Sequence, residues 1–261
     1  MNGKITVFNF SGVYEQESFY RGDKSSCFCV PGAASLLDMK DVHGTNCMCD
    51  DSAVLEIKAR INALCGEAFA DTDDFLNGVH FIDSGNYHYM SYILLSMVKE
   101  PFSLVVFDHH PDMQPPRFGD ILSCGGWVLK VLQDNPNVRD VHVIGADEKL
   151  ISELDEEDKK RVSFYTLDDI KTGLPTTEYP VYLSVDKDVV RRDELITNWD
   201  QGEMEAEDLL SRVKKLADDP GRRLIGIDIC GECALDQEGI DVGAAIAGND
   251  EFNAKVLEIF K

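Results

Sequence analysis

Ser103-Leu-Val-Val-Phe-Asp-His-His-Pro-Asp112 and Tyr179-Pro-Val-Tyr-Leu-Ser-Val-Asp-Lys-Asp188 are the stretches whose reading decides the fold. Each opens as a short apolar run with the composition of a buried strand and ends in ionisable residues. The first ends in Asp108, His110 and Asp112, the second in Asp186 and Asp188. In an extended segment, residues at i, i+2 and i+4 project to the same side, so each set can converge. Five such groups at the ends of two apolar strands would repel and desolvate one another unless something neutralised them. A pair of divalent cations does that. Carboxylates with a minority of imidazoles form a hard, oxygen-rich set that suits Mn²⁺ better than a structural zinc. Spacing alone leaves two plainer readings open: acids that line a loop, or a single bound Mg²⁺.

With 261 residues, 44% of them hydrophobic, the chain can bury one sizeable core. No linker-like, low-complexity or repeated stretch divides it, which predicts one domain over residues 1–261, with a loop-rich, cysteine-containing segment over 1–50. The start, Met-Asn-Gly-Lys-Ile-Thr-Val-Phe-Asn-Phe10, alternates like a strand and lacks a signal peptide's basic head and long apolar region. No apolar stretch approaches the roughly 18–20 residues that span a bilayer. These features predict a soluble, cytoplasmic protein with no membrane partner. The net charge of −23, from 48 acids against 25 bases, argues against nucleic acid and is compatible with a small cationic substrate drawn in by long-range steering. A homo-oligomer is compatible with the sequence, which does not set the oligomeric state.

Eight cysteines without a secretory signal predict reduced thiols rather than a disulfide scaffold. Cys27-Phe-Cys29 and Cys47-Met-Cys49 are spaced more tightly than common zinc knuckles, so small buried thiols are the expected reading and a structural zinc the alternative. Along the rest of the chain, strands and helices alternate. Strands are expected near 4–10, 79–82, 103–107, 138–145, 161–165, 180–185 and 222–229, and helices near 51–64, 89–98, 126–132, 203–217 and 252–260. This pattern predicts a three-layer α/β fold with a mostly parallel sheet, whose ligand site lies at the carboxyl ends of the strands.

A third stretch, Val79-His-Phe-Ile-Asp-Ser-Gly-Asn-Tyr-His88, follows another apolar run, and with it the chain resembles the ureohydrolases: arginase, agmatinase, formimidoylglutamase and relatives. Gly85-Asn-Tyr-His88 stands for that family's Gly-Gly-Asp-His, Asp108-His-His-Pro-Asp112 for its Asp-Ala-His-x-Asp, and Ser184-Val-Asp-Lys-Asp188 for its Ser-x-Asp-x-Asp. The resemblance implies an arginase-like fold and two divalent ions, with Mn²⁺ the expected metal. One ion is implied on His88, Asp108, Asp112 and Asp186, and the other on Asp108, His110, Asp186 and Asp188. It further implies hydrolysis of a C–N bond in a guanidino, formimidoyl or amidino compound, with a metal-bridging hydroxide attacking and Asp112 relaying the proton. His109 is expected to face away from His110 and to pack or support.

The chain departs from the family on the substrate side. Cys124 stands near the family's supporting histidine, and Glu232 comes one residue late for the glutamate that grips the guanidinium. The segment around Trp199 and Asp200 replaces the usual Asp-Pro and Thr-Gly-Thr stretch. Cys124, Trp199, Asp200 and Glu232 are therefore the expected substrate-binding residues of a remodelled pocket. The competing reading is an arginase-like metal-binding protein that has lost hydrolase activity. A two-metal phosphoesterase would need further histidines late in the chain, and none follows His142.

Overall fold

The computed structural model describes residues 1, 3–21, 34–116 and 118–261, and the expectation for Cys27 and Cys29 lies outside them. The strands are β1 (Ile5–Asn9), β2 (Ser35–Asp38), β3 (Met48–Cys49), β4 (Val79–Ser84), β5 (Phe102–Phe107), β6 (Leu122–Ser123), β7 (Val138–Ile144), β8 (Ser163–Tyr165), β9 (Val181–Asp186) and β10 (Leu224–Glu232). The helices are α1 (Asp51–Ala68), α2 (Thr72–Leu76), α3 (Met90–Leu95), α4 (Trp127–Asp134), α5 (Glu148–Ser152), α6 (Glu156–Lys159), α7 (Ala206–Asp218) and α8 (Val242–Ile259). Eight strands form one sheet in the order β2-β1-β4-β10-β9-β5-β7-β8, and every pairing in it is parallel. The expected α/β architecture is the observed one.

Strands β4, β5, β9 and β10 are buried at every position, which is why they read as continuous apolar runs rather than alternating ones. Ile82, Leu104, Val106 and Tyr182 pack into a layer with Ile57, Ile61, Ile93 and Val128 from α1, α3 and α4. Phe81, Val105, Leu183, Val185 and Ile227 face the other way, onto Leu209, Val213, Phe252 and Val256 from α7 and α8. Each buried large side chain favours folding by about 1.5–3 kcal/mol, so the two layers fix the register of the central strands. Helix α1 starts where Asp50 accepts a hydrogen bond from the Ala53 N–H at 2.9 Å, and it buries Ala53, Ile57, Ile61 and Cys65.

Three features depart from expectation. The segment expected to be loop-rich contributes β2, a parallel edge strand on β1, and β3, which pairs antiparallel with β6. Helix α8 begins at Val242 rather than near 252, because Asp241 caps it through the Ala244 N–H at 3.0 Å while the first turns carry no polar face to mark them. Strands β5 and β9 end close to where they were expected, at Phe107 and Asp186, but the acids that follow, Asp108, Asp112 and Asp188, lie outside the extended segments in which they were expected to line up. Asp112 takes a left-handed backbone, φ 48°, and the alternation argument for residues 108–112 does not apply there. Among the described residues, no helix is long and apolar enough to cross a membrane.

Candidate metal centre

Strands β4, β10, β9 and β5 are consecutive neighbours at the middle of the sheet, and their carboxyl ends open onto one place. His88 reaches it from the turn after β4, where its Nδ1 lies 3.3 Å from Asp108 Oδ2, 3.1 Å from Asp112 Oδ2 and 3.3 Å from Asp186 Oδ2. His110 Nδ1 lies 2.8 Å from Asp188 Oδ2 and 3.6 Å from Asp108 Oδ1. The six motif residues therefore meet, with Asp108 turning one oxygen to each histidine. His110 alone is appreciably exposed, its side chain at 21%. Among the described residues, three groups have donor atoms within 4.8 Å of one another: His88–Asp108–Asp112, Asp108–His110–Asp188 and His88–Asp186–Cys230. A divalent cation in each of the first two suits this set: the donors are carboxylates and imidazoles, and the buried Asp108 Oδ2 has no hydrogen-bond partner of its own.

The turns aim these groups by short local bonds. Asp108 Oδ1 accepts from the His110 N–H at 2.6 Å, Asp188 Oδ1 from the His109 N–H at 3.0 Å, and Asp186 Oδ1 from the Asp188 N–H at 2.9 Å. Trp127 at the head of α4 donates its indole N–H to Asp112 Oδ2 at 2.6 Å. On its far side, His88 Nε2 lies 3.0 Å from Ser184 Oγ, which donates to Asp228 Oδ1 at 2.6 Å. That chain places the His88 proton on Nε2 and leaves the Nδ1 lone pair directed at the acids, the arrangement metal-ligating histidines need. Burial works against a charged His88, but Asp108 and Asp112 outweigh it and hold the imidazole well above its ordinary 6.5. Burial, and then Asp188, push the Asp186 carboxyl well above the usual carboxylate range. The cluster thus holds protons that a cation would displace.

No family model matches the chain. An uncharacterized protein of Thermotoga maritima is 31% identical over 228 residues, which cover 87% of this chain and 79% of that protein, and the chain belongs to one family with it. Formimidoylglutamase from Bacillus subtilis superposes with a TM-score of 0.66 at 17% identity, covering 99% of this chain and 87% of that one. The chain has the fold of the ureohydrolases. The agmatine ureohydrolase of Thermoplasma volcanium gives a TM-score of 0.63 at 15% identity over 99% of this chain and 92% of that chain. A triple mutant of the T. brucei arginase-like protein, bound with Mn²⁺, gives 0.59 at 16% over 98% and 90%.

Within this ureohydrolase fold, the residues expected to bind substrate are dispersed. Glu232 does not face the ligands: it is 1% exposed, ion-paired with the fully buried Lys187, and accepts from Asn253 Nδ2 at 2.8 Å. Gly231 takes the place against the acidic cluster instead, with φ 97° and no room for a side chain, since a Cβ there would lie 2.4 Å from Asp186 Oδ1. Strict alternation would leave Glu232 on the face of Asp228 and Cys230, which meet the cluster, and the left-handed backbone at Gly231 turns it away instead. Cys124 is buried beside Asp112, and its backbone N–H donates to Cys47 at 2.9 Å. Trp199 is 40% exposed, its ring centroid 6.0 Å from that of His110 and its indole N–H on Asn86 Oδ1 at 3.0 Å. Asp200 beside it is exposed.

His109 does not turn away from His110, as strand alternation would require; the two rings meet edge-on at 5.2 Å because the segment is a turn. Sequence reading missed the roles of four residues. Cys230 groups with His88 and Asp186, Ser184 and Asp228 orient His88, and Lys187 between two ligands neutralises Glu232. The period-two run Asp228-Ile-Cys230 at the end of a central strand was the available signal for Asp228 and Cys230.

Proposed function

We propose that this chain is a binuclear metal-dependent hydrolase of C–N bonds in a guanidino or related formimidoyl or amidino compound, working with Mn²⁺. The observation that carries the reading is the meeting of His88, Asp108, His110, Asp112, Asp186 and Asp188 at the ends of neighbouring strands. His88, Asp108, Asp112 and Asp186 would hold one ion, and Asp108, His110, Asp186 and Asp188 the other. Such ions bring the pKa of bound water toward neutrality and polarise the group to be cleaved. The solved relatives named formimidoylglutamase, agmatine ureohydrolase and proclavaminate amidino hydrolase support the same bond class.

The chain's own residues divide the remaining work. Asp112 is the proton carrier: it sits at the site with one oxygen fixed by Trp127, ready to take a proton and return it to the departing amine. Trp127 is fully buried against His88, ring centroids 4.9 Å apart, and excludes water from that flank. Trp199 and Asp200 form the rim on the open side of His110, an indole face and a carboxylate that suit a cationic head group. One observation favours the competing reading of a metal-binding protein without hydrolase activity. Glu232, the carboxylate expected to grip the substrate, is committed to Lys187.

The deciding experiment is metal analysis of protein purified without chelators, followed by urea and ammonia release across a panel of guanidino, amidino and formimidoyl compounds. Two ions per chain and turnover of one compound class are expected. Two ions with no turnover would leave the inactive metal protein as the account, and no bound metal would remove both readings.

A further inference from the structure

The short ladder between β3 and β6 pairs Met48 with Ser123 and Cys49 with Leu122. Beyond the ladder Cys47 turns left-handed, φ 60°, and the Cys124 N–H donates to the Cys47 carbonyl at 2.9 Å, which holds the two residues side by side. The two thiols also hydrogen-bond to each other. Cys47 is half-buried while Cys124 is buried, so one sulfur of the pair meets solvent and the other lies behind it.

We propose that Cys47 and Cys124 form a reversible disulfide when the protein meets hydrogen peroxide. The Cys47 thiolate attacks one peroxide oxygen; an S–O bond forms, the O–O bond breaks, and the leaving oxygen departs as water after taking a proton. The Cys124 sulfur then attacks the Cys47 sulfenic acid. The S–S bond forms, the S–O bond breaks, and the Cys124 proton leaves with the hydroxyl as a second water. Two thiols are oxidised and one peroxide is reduced. Exposure assigns the roles: the half-buried Cys47 meets the peroxide and attacks, and the buried Cys124 behind it resolves.

The cross-link would lie against the metal centre. Cys124 opens the turn that leads into α4, and three bonds clamp that unit to the segment of Asp112. These are Trp127 Nε1 to Asp112 Oδ2 at 2.6 Å, the Val128 N–H to the Asp112 carbonyl at 3.0 Å, and the Gln114 N–H to the Gly125 carbonyl at 2.8 Å. A disulfide draws the sulfurs to about 2.05 Å and pulls the turn toward β3. Residues that orient a ligand typically change metal affinity by about 10–100-fold when disturbed, so the oxidised form should bind Mn²⁺ at least tenfold more weakly. This last consequence rests on the proposed metal centre; the disulfide itself does not.

The test treats the full chain with hydrogen peroxide, maps the cysteines by differential alkylation and peptide mass, and titrates Mn²⁺ before and after a dithiol reductant. Expected are a linked peptide pair holding Cys47 and Cys124, its loss in Cys47→Ser, and recovery of Mn²⁺ affinity on reduction. Oxidation of other cysteines while Cys47 and Cys124 stay alkylatable, or a link from either to another cysteine, overturns the proposal. Because the link is read by mass in wild type, a variant that fails to fold does not obscure it. Equal Mn²⁺ affinity of the two forms overturns the coupling. Absence of Mn²⁺ binding by the reduced protein is instead a failure of the metal reading.

Discussion

Replacing Glu232 with Ala separates a substrate-binding carboxylate from a structural one. Lys187 is fully buried between two ligand residues, and Glu232 is its carboxylate partner. Removing the partner leaves a buried ammonium with the Asn253 Oδ1 at 3.3 Å, a loss that ordinarily costs about 3–5 kcal/mol. Glu17 bears on which end of that range applies. Its Oε2 accepts from Asn253 Nδ2 at 3.0 Å, and burial, followed by the Glu232 carboxylate, pushes its carboxyl well above the ordinary 4.5. Without Glu232, that carboxyl ionises more readily and offers Lys187 a second counter-ion, which places Glu232→Ala near about 3 kcal/mol. Adding Glu17→Gln to Glu232→Ala should raise the loss toward about 5 kcal/mol, although Glu17→Gln alone should cost less than about 1 kcal/mol at neutral pH. In wild type, the raised Glu17 contributes stability that is complete below pH 4.5 and declines as pH rises above it, and Glu17→Gln should flatten that decline. The assay is urea unfolding in excess chelator, read by midpoint at constant m-value, so metal loss does not enter. A Glu232→Ala protein of wild-type stability that has lost only turnover would refute the buried-pair account and return Glu232 to the substrate pocket.

Ser184→Ala removes the hydroxyl that links His88 Nε2 to Asp228, and it should weaken Mn²⁺ binding about 10–100-fold by calorimetry with the fold intact; unchanged affinity would show that the link does not orient His88. Mn²⁺ at about 100 times its Kd should stabilise the wild type by about 2.7 kcal/mol, while Asp186→Ala, which strips a ligand from both proposed ions, should show no Mn²⁺-dependent shift in Tm. Because His88 and Asp186 hold protons well above their ordinary values, Mn²⁺ must displace them. Affinity should therefore rise with pH through neutrality, and binding heats measured in buffers of different ionisation enthalpy should report proton release; a pH-independent affinity would count against these ligands.

The sequence by itself determined the central strands, their two-sided burial and the residues that gather at their carboxyl ends. Runs such as Ser103-Leu-Val-Val-Phe107 are apolar throughout because both faces of a central parallel strand are covered, and ligands must follow such strands because their carboxyl ends open to one crevice. Those signals are local. Tertiary structure decided which carboxylates face the cluster. Glu232 differs by one residue from the expected position, yet the left-handed Gly231 and the pull of Lys187 send it to the opposite side of the sheet. The partners of Lys187, Cys47 and His88 lie 45, 77 and 96 residues away along the chain, in the Lys187–Glu232, Cys47–Cys124 and His88–Ser184 pairs. Periodicity carries no record of contacts at such separations, because they arise only when the register of the whole sheet is set.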